Sequence, residues 1–110
     1  MTRGMKFKLI MLEWKLKNPC VDCGLVSVTN EFDHVKGTKE FNISNAFMRR
    51  TMTTEKFIAE IEKCVMRCAK CHRIKTHRDN DSWLVPFIDS EENGSIDQFL
   101  IEMHRLVEGE

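Results

Sequence analysis

The chain is 110 residues long and 42% hydrophobic, which suits one small globular domain and argues against a disordered or fibrous protein. Its formal net charge of zero hides an asymmetry, because residues 1–78 carry 16 of the 17 Lys and Arg but only 8 of the 17 Asp and Glu, a net charge of +8. No apolar run approaches the roughly 18 residues of a membrane span and no signal-peptide layout is present, so we expect a soluble, cytoplasmic protein without a membrane partner.

The first third of the chain predicts one helix and one hairpin. Residues 5–17 place apolar side chains at close to helical spacing, and Pro19 prevents the helix from continuing. Residues 25–28 and 31–35 have the pattern of two short strands separated by a two-residue turn. We therefore expect these two segments to pair as a β-hairpin.

The central part predicts two helices. Ser44 or Asn45 can cap a short helix that ends near residue 50, and Thr53 or Thr54 can cap a longer one. The apolar stripe of the longer helix extends to Val65. The charged residues of this helix are expected to face solvent, namely Glu55, Lys56, Glu60, Glu62 and Lys63.

The last third predicts a basic helix over residues 71–78, followed by an apolar segment at 83–88. Ser95 begins a capping-box pattern for a final helix with one apolar side. We expect an α+β fold in which residues 1–82 form the main domain. Residues 83–110 are expected to form an acidic helical extension that packs on this domain.

Five cysteines without a secretory signal indicate reduced thiols, because the cytosol disfavours disulfides and an odd number leaves one over. Cys20 and Cys23 form one CxxC pair, and Cys68 and Cys71 form a second. Two such pairs can close around one Zn²⁺ in a tetrahedral sulfur cage. We expect a structural zinc site at these four residues, with Cys64 as a small apolar residue near the end of a helix.

Three blocks of the sequence occur in a distinctive order. The blocks CxxCG, FDHVxGxKxFNIS and ExxKCxxRCxxCHRxKT lie within residues 18–78. They resemble the motifs of HNH endonucleases of the ββα-metal (His-Me finger) group, particularly small zinc-bearing members from phages and bacteria. The resemblance implies a ββα-metal core stapled by the zinc site, with flanking N- and C-terminal helices. It also implies that Asp33 and His72 hold a catalytic Mg²⁺ or Mn²⁺ and that His34 is the general base that activates water.

The chemistry of the residues supports these roles. A carboxylate such as Asp33 binds a hard divalent cation well, while a neutral imidazole such as His34 can take a proton from water near neutral pH. Adjacent strand residues point to opposite faces, so both reach one site only if the strand bends at its end. His77 lies about 140° around the helix from His72, so the two cannot share one ion. We prefer His72 because the zinc cage holds its neighbour Cys71.

The middle asparagine of the HNH pattern has no clear match. The spacing of the family, counted back from Cys68, reaches Lys63, and the nearest asparagines are Asn42 and Asn45. In the family this asparagine orients the base histidine or tethers a loop. Asn42 is our candidate for the catalytic role, and turn or cap chemistry is the alternative for it.

Basic residues accompany these motifs. Their clustering is typical of proteins that neutralise phosphates, and we expect double-stranded DNA as the partner. The residues expected to contact the DNA backbone are Lys36, Lys39, Arg73, Lys75 and Arg78.

The expected function is therefore metal-dependent hydrolysis of DNA phosphodiester bonds, as nicks or double-strand breaks. One alternative is a zinc-dependent DNA-binding accessory or regulatory protein, which would need neither Asp33 nor His34. Another is an inhibitor or adaptor that acts through residues 83–110. The acidic last helix is in addition a candidate interface for a dimer or a partner protein.

Overall fold

The computed structural model describes residues 2–109 and has an α+β fold. This part of the chain contains five α-helices, one 3₁₀ helix and two β-strands. In chain order they are α1 (Arg3–Lys17), β1 (Glu31–His34), the 3₁₀ helix (Ile43–Met48), α2 (Thr54–Ile61), β2 (Cys64–Arg67), α3 (Ala69–Asp79), α4 (Val85–Glu92) and α5 (Ile96–Glu108). The chain divides within α3 into two compact units, of which the first ends at His72 and the second begins at Arg73. No helix among the described residues has both the length and the apolar character needed to cross a bilayer.

The predicted first helix is confirmed, and it begins two residues earlier than expected. The hydroxyl of Thr2 accepts a hydrogen bond from the Met5 backbone N–H at 3.2 Å and caps the helix. Phe7 is the buried residue of α1, and its ring lies 4.9 Å from that of Phe57 in α2, centroid to centroid. This contact anchors α1 to the core of the first unit.

The predicted hairpin is wrong. Strand β1 pairs antiparallel with β2 rather than with residues 25–28, in a register that places His34 opposite Cys64 and Glu31 opposite Arg67. Residues 25–28 lack strand structure, and the Leu25 carbonyl accepts from the Cys20 N–H at 2.8 Å. Strand β2 begins about 30 residues after the end of β1. Its sequence is short and mostly apolar, and such a run fits the pattern of a helix as well as that of a strand, which explains why a helix was expected there.

Helix α2 begins where predicted but ends earlier. The hydroxyl of Thr53 accepts from the Lys56 backbone N–H at 3.2 Å and caps the helix, which ends at Ile61 instead of continuing to Val65. Cys64 therefore lies on a strand and not near the end of a helix. The outward orientation predicted for Glu60 is also wrong, because Glu60 is only 1% exposed.

The core of the first unit consists of apolar residues from α1, α2 and the segment between β1 and α2. Its buried members are Phe7, Phe41, Ile43, Ala46, Met52, Phe57 and Ile61. The predicted short helix is present as the 3₁₀ helix, with Asn42 rather than Ser44 or Asn45 at its N-cap position. Phe32 of β1 packs against this core, so the core supports the face of β1 that carries Phe32.

The second unit contains the rest of α3 together with α4 and α5. Phe87 of α4 makes edge-to-face ring contacts with Trp83 at 6.1 Å and with Phe99 of α5 at 4.9 Å. The final helix begins after Ser95 as predicted, but the capping box does not form, because the Ser95 side chain makes no hydrogen bond to the helix end. Its hydroxyl instead donates to the side-chain oxygen Oδ1 of Asn93.

Candidate metal centre and adjoining cleft

Four cysteine side chains form a cluster in the first unit. The Sγ atoms of Cys20, Cys23, Cys68 and Cys71 all lie within 4.8 Å of one another. The separation between Cys23 Sγ and Cys68 Sγ is 3.7 Å. A Zn–S bond of about 2.3 Å in a tetrahedron predicts sulfur atoms about 3.8 Å apart, so the cluster fits a structural zinc ion. The predicted grouping of these four cysteines is confirmed.

The local backbone builds both halves of this cluster. In the first half, the Gly24 N–H donates to the Cys20 carbonyl at 2.9 Å, and Gly24 has a φ of +79°, a conformation that favours glycine. In the second half, the Cys71 N–H donates to Cys68 Sγ at 3.3 Å at the start of α3. The Val21 N–H also donates to the Met66 carbonyl at 2.9 Å. The turn that contains Cys20 and Cys23 is thus hydrogen-bonded to β2, and β2 leads directly to Cys68 and Cys71.

The thiols differ in their tendency to ionise. Burial alone would raise the pKa of Cys20, but hydrogen bonds from the backbone of Cys68, Cys23 and Asp22 lower it to about 6. Burial and the neighbouring thiols raise the pKa of Cys71. One thiolate therefore forms readily while further negative charge is opposed, which is the condition that a bound cation relieves.

Cys64 lies outside this cluster. Burial, followed by the charges of Glu60 and Asp33, raises the pKa of Cys64 to about 11. Its thiol donates to the Glu60 carbonyl at 3.6 Å. A thiol in this environment stays protonated at neutral pH and is a poor metal ligand, in agreement with its predicted role as a small apolar residue.

Asp33 and His72 approach each other at the junction of β1 and α3. His72 Nε2 lies 3.7 Å from Asp33 Oδ1. The Asp33 residue is 8% exposed, and Arg67 Nη1 donates to its Oδ2 at 2.6 Å. Because His72 follows Cys71 directly, the cysteine cluster determines where its backbone lies. The two predicted ligands of a catalytic ion are therefore neighbours.

Glu31 fixes the tautomer of His72. The two residues Glu31 and Asp33 lie two apart on β1, on the same face of the strand. His72 Nδ1 donates to Glu31 Oε1 at 2.8 Å. A carboxylate only accepts, so Nδ1 carries a proton, and in the neutral imidazole Nε2 is the ring nitrogen with a lone pair. Carboxylate pairing of this kind is the usual support of a metal-binding histidine.

His34 is held by a different carboxylate. Its Nε2 lies 2.9 Å from Glu60 Oε2, and the imidazole is 15% exposed. Burial would raise the pKa of Glu60, but hydrogen bonds from Lys63, the Glu40 backbone and His34 lower it on balance. The carboxylate is therefore ionised and accepts from His34 Nε2, so that Nδ1 is the nitrogen able to accept a proton.

The strand bends directly after His34, as the predicted site requires. The N–H groups of Val35 and Lys36 both donate to the Lys63 carbonyl, at 2.9 and 3.2 Å. Two residues opposite one is the arrangement of a β-bulge, which changes the direction of a strand. Gly37 follows with a φ of +68°. His34 and His72 can therefore line the same space despite the alternation of the strand.

That space is a cleft of about 500 Å³ in the first unit. It brings together four of the residues predicted for the site, namely His34, Lys39, Asn42 and His72. Lys15 of α1 also lines the cleft, and its Nζ donates to the Val28 carbonyl at 3.2 Å. The cleft thus has two imidazoles and two cationic side chains on its walls.

Other predicted residues lie elsewhere or have other partners. Asn42 is exposed at the cleft, while Glu60, rather than an asparagine, contacts His34 Nε2. Lys36 is exposed on the first unit. Among the basic residues of α3 in the second unit, Arg73 is exposed. Lys75 Nζ lies 3.1 Å from Asp79 Oδ2, and Arg78 Nη2 lies 2.9 Å from Asp89 Oδ1 and 3.1 Å from Glu92 Oε2.

His77 has a structural partner within the second unit. Its Nδ1 lies 2.8 Å from the Ser82 hydroxyl, in the turn that ends α3. The sequence favours His72 over His77 as the second ligand of the catalytic ion. The contacts agree with this preference, because His72 lies beside Asp33 and His77 contacts Ser82.

Sequence reasoning missed Glu31 and Glu60 as site residues, and it grouped Arg67 with the phosphate-contacting basic residues rather than with Asp33. The strand period of two could have identified Glu31, because it places Glu31 beside Asp33. Helical spacing could have identified Glu60, since it lies between Phe57 and Ile61 on the apolar stripe. The position of Arg67 depends on the β1 to β2 pairing, for which the sequence carries no local signal.

Comparisons of the chain with models of protein families, with curated proteins and with solved structures found no match.

Proposed function

We propose that the protein is a metal-dependent endonuclease of the HNH type that hydrolyses phosphodiester bonds of double-stranded DNA. The observation that carries the proposal is the shared cleft of His34 and His72, with Asp33 Oδ1 3.7 Å from His72 Nε2. A base in an open cleft, with a carboxylate beside the second histidine of that cleft, supplies the groups that such hydrolysis requires.

The order of the elements supports this proposal. Two antiparallel strands, β1 and β2, lead into α3, with Asp33 and His34 at the end of the first strand and His72 in the first turn of the helix. The 3₁₀ helix and α2 lie between the two strands, and apart from this insertion the order strand, strand, helix is the one that a ββα-metal core would have. The four-cysteine cluster joins the turn before β1 to the start of α3. A zinc ion held by four thiolates has no open position, so its role would be structural.

The donor set fits a catalytic Mg²⁺ or Mn²⁺. These ions prefer oxygen ligands, usually keep several waters, and are held by one or two protein carboxylates together with substrate phosphates. Asp33 would supply the carboxylate and His72 Nε2 the second protein ligand, while Glu31 and Arg67 hold these two side chains in place. When bound, such an ion stabilises negative charge on the phosphate and on the leaving oxygen.

His34 would act as the general base. Its Nε2 proton is engaged by Glu60, so Nδ1 would take the proton from the attacking water. The Glu60 carboxylate would stabilise the positive charge that the imidazole gains, in the manner of a base-orienting carboxylate. Lys39 and Lys15 line the same cleft and would attract and position the phosphate backbone.

A plasmid assay tests the proposal. Purified, zinc-loaded protein is incubated with supercoiled DNA and Mg²⁺ or Mn²⁺, and nicked and linear products are measured over time. We expect cleavage that stops with EDTA and that falls by about 100-fold or more in His34→Ala, the range for a general base. His104→Ala, in the exposed part of α5, is the matched control and should cut as the wild type does.

The same assay separates the alternatives. DNA binding by the wild-type protein without cleavage in either metal would refute the nuclease proposal and favour a zinc-dependent DNA-binding module. Cleavage by His34→Ala at the wild-type rate would refute the assignment of the base.

A further inference from the structure

Glu60 is an unusual residue for the position that it occupies. It is 1% exposed and lies on the side of α2 that carries the core residues Phe57 and Ile61. A buried carboxylate is costly unless charged or polar partners compensate for its lost hydration. An apolar side chain would serve packing better here, so the partners of the carboxylate explain its presence.

The carboxylate has three hydrogen-bond partners, one of which is the cleft residue His34. Oε1 accepts from Lys63 Nζ at 2.8 Å, and Oε2 accepts from His34 Nε2 at 2.9 Å and from the Glu40 N–H at 3.1 Å. Lys63 Nζ also donates to the Thr38 carbonyl at 2.8 Å. The two side chains therefore hold the base histidine and both ends of the segment from Thr38 to Glu40.

This segment carries Lys39 to the wall of the cleft. One ion pair thus connects the orientation of the imidazole with the placement of a cationic side chain. The Lys63 ammonium compensates the charge of Glu60, which lets the carboxylate accept two further hydrogen bonds inside the protein.

We infer that Glu60 and Lys63 are positioning residues of the active site. Glu60 holds the Nε2–H tautomer of His34, so that Nδ1 serves as the base, and Lys63 holds Glu60 and the Lys39 segment in place. Neither residue lines the cleft itself. The inference rests on the proposed nuclease function for its catalytic consequence, but the tautomer of His34 is a property of the protein alone.

The test uses the zinc-loaded protein with Glu60→Ala and Glu60→Gln, and Glu62→Gln as the matched control, because Glu62 is exposed two residues away. Ring ¹⁵N chemical shifts and long-range ¹H–¹⁵N correlations of His34 at pH 8 identify the protonated nitrogen. Zinc content, circular dichroism and the melting curve establish that each variant is folded. Cleavage kinetics then separate kcat from KM.

We expect the Nε2–H tautomer in the wild type and in Glu62→Gln, and a mixture of tautomers in Glu60→Ala. The Gln side chain can still accept from Nε2–H, so Glu60→Gln should keep the tautomer and retain more activity. The expected losses of kcat are about 100-fold for Ala and about 10-fold for Gln, the scale of a residue that orients a site group.

The inference is overturned if folded Glu60→Ala keeps a pure Nε2–H tautomer, or if the wild type cuts DNA and Glu60→Ala matches its kcat. A wild type that does not cut refutes the proposed function instead, and the tautomer comparison alone then decides the role of Glu60.

Discussion

Loss of the four-cysteine cluster should unfold the first unit. Cys68→Ser removes one of the four sulfur atoms and leaves its neighbour, Cys23 Sγ, without the partner that lies at 3.7 Å. Structural zinc contributes about 10–16 kcal/mol of apparent binding free energy in small zinc domains. A domain of this size has a total stability of about 5–15 kcal/mol, so the metal and the fold are expected to be lost together.

The structure explains why so much depends on this cluster. The core of the first unit is a cluster of seven buried apolar side chains, and β1 and β2 have only four residues each. The Val21 to Met66 hydrogen bond and the cluster join the loop before β1 to the start of α3. Without the metal these segments have little apolar contact to keep them together.

The assay measures zinc content, far-ultraviolet circular dichroism and thermal denaturation of the wild type before and after chelation, and of two cysteine variants. Cys68→Ser should bind less than one equivalent of zinc and lose the cooperative transition. Cys64→Ser is the matched control and should keep one equivalent, because its thiol lies outside the cluster and is protonated. A chelated wild type that melts at the same temperature as the zinc-loaded protein would refute the reasoning.

Two further substitutions test the supports of the site. Arg67→Met removes charge-assisted hydrogen bonds of 2.6 Å to the buried Asp33 carboxylate and of 2.7 Å to the more exposed Asp22, and the loss should cost about 2–3 kcal/mol and lower the melting temperature by on the order of 10 °C. The exposed Arg50→Met should change it little, and equal melting curves for the two variants would contradict the assigned contact. Gly24→Ala places an alanine at a φ of +79°, so denaturation of the zinc-loaded protein should show a loss of about 1–2 kcal/mol with zinc content retained. An unchanged stability would mean that the turn relaxes without strain.

The signals that the sequence carried locally agree with the structure. Thr53 caps α2, and α1 ends before Pro19, because capping and the missing proline N–H act within one turn of a helix. The four zinc-ligand candidates were also predictable, since CxxC spacing by itself brings two sulfur atoms close enough to share an ion. Placing His72 next to Cys71 likewise required only chain connectivity.

Contacts between distant parts of the chain were decided by the tertiary structure. The true partner of β1 is β2, and this pairing brings Arg67 to Asp33 across 34 residues of sequence. The burial of Glu60 and its contact with His34 depend on how α2 packs against the end of β1. Local propensity cannot report such contacts, because the free energy that selects them comes from packing and desolvation in the assembled fold. The amino-acid sequence thus identified the candidate metal-binding side chains, and the tertiary packing determined which groups orient them.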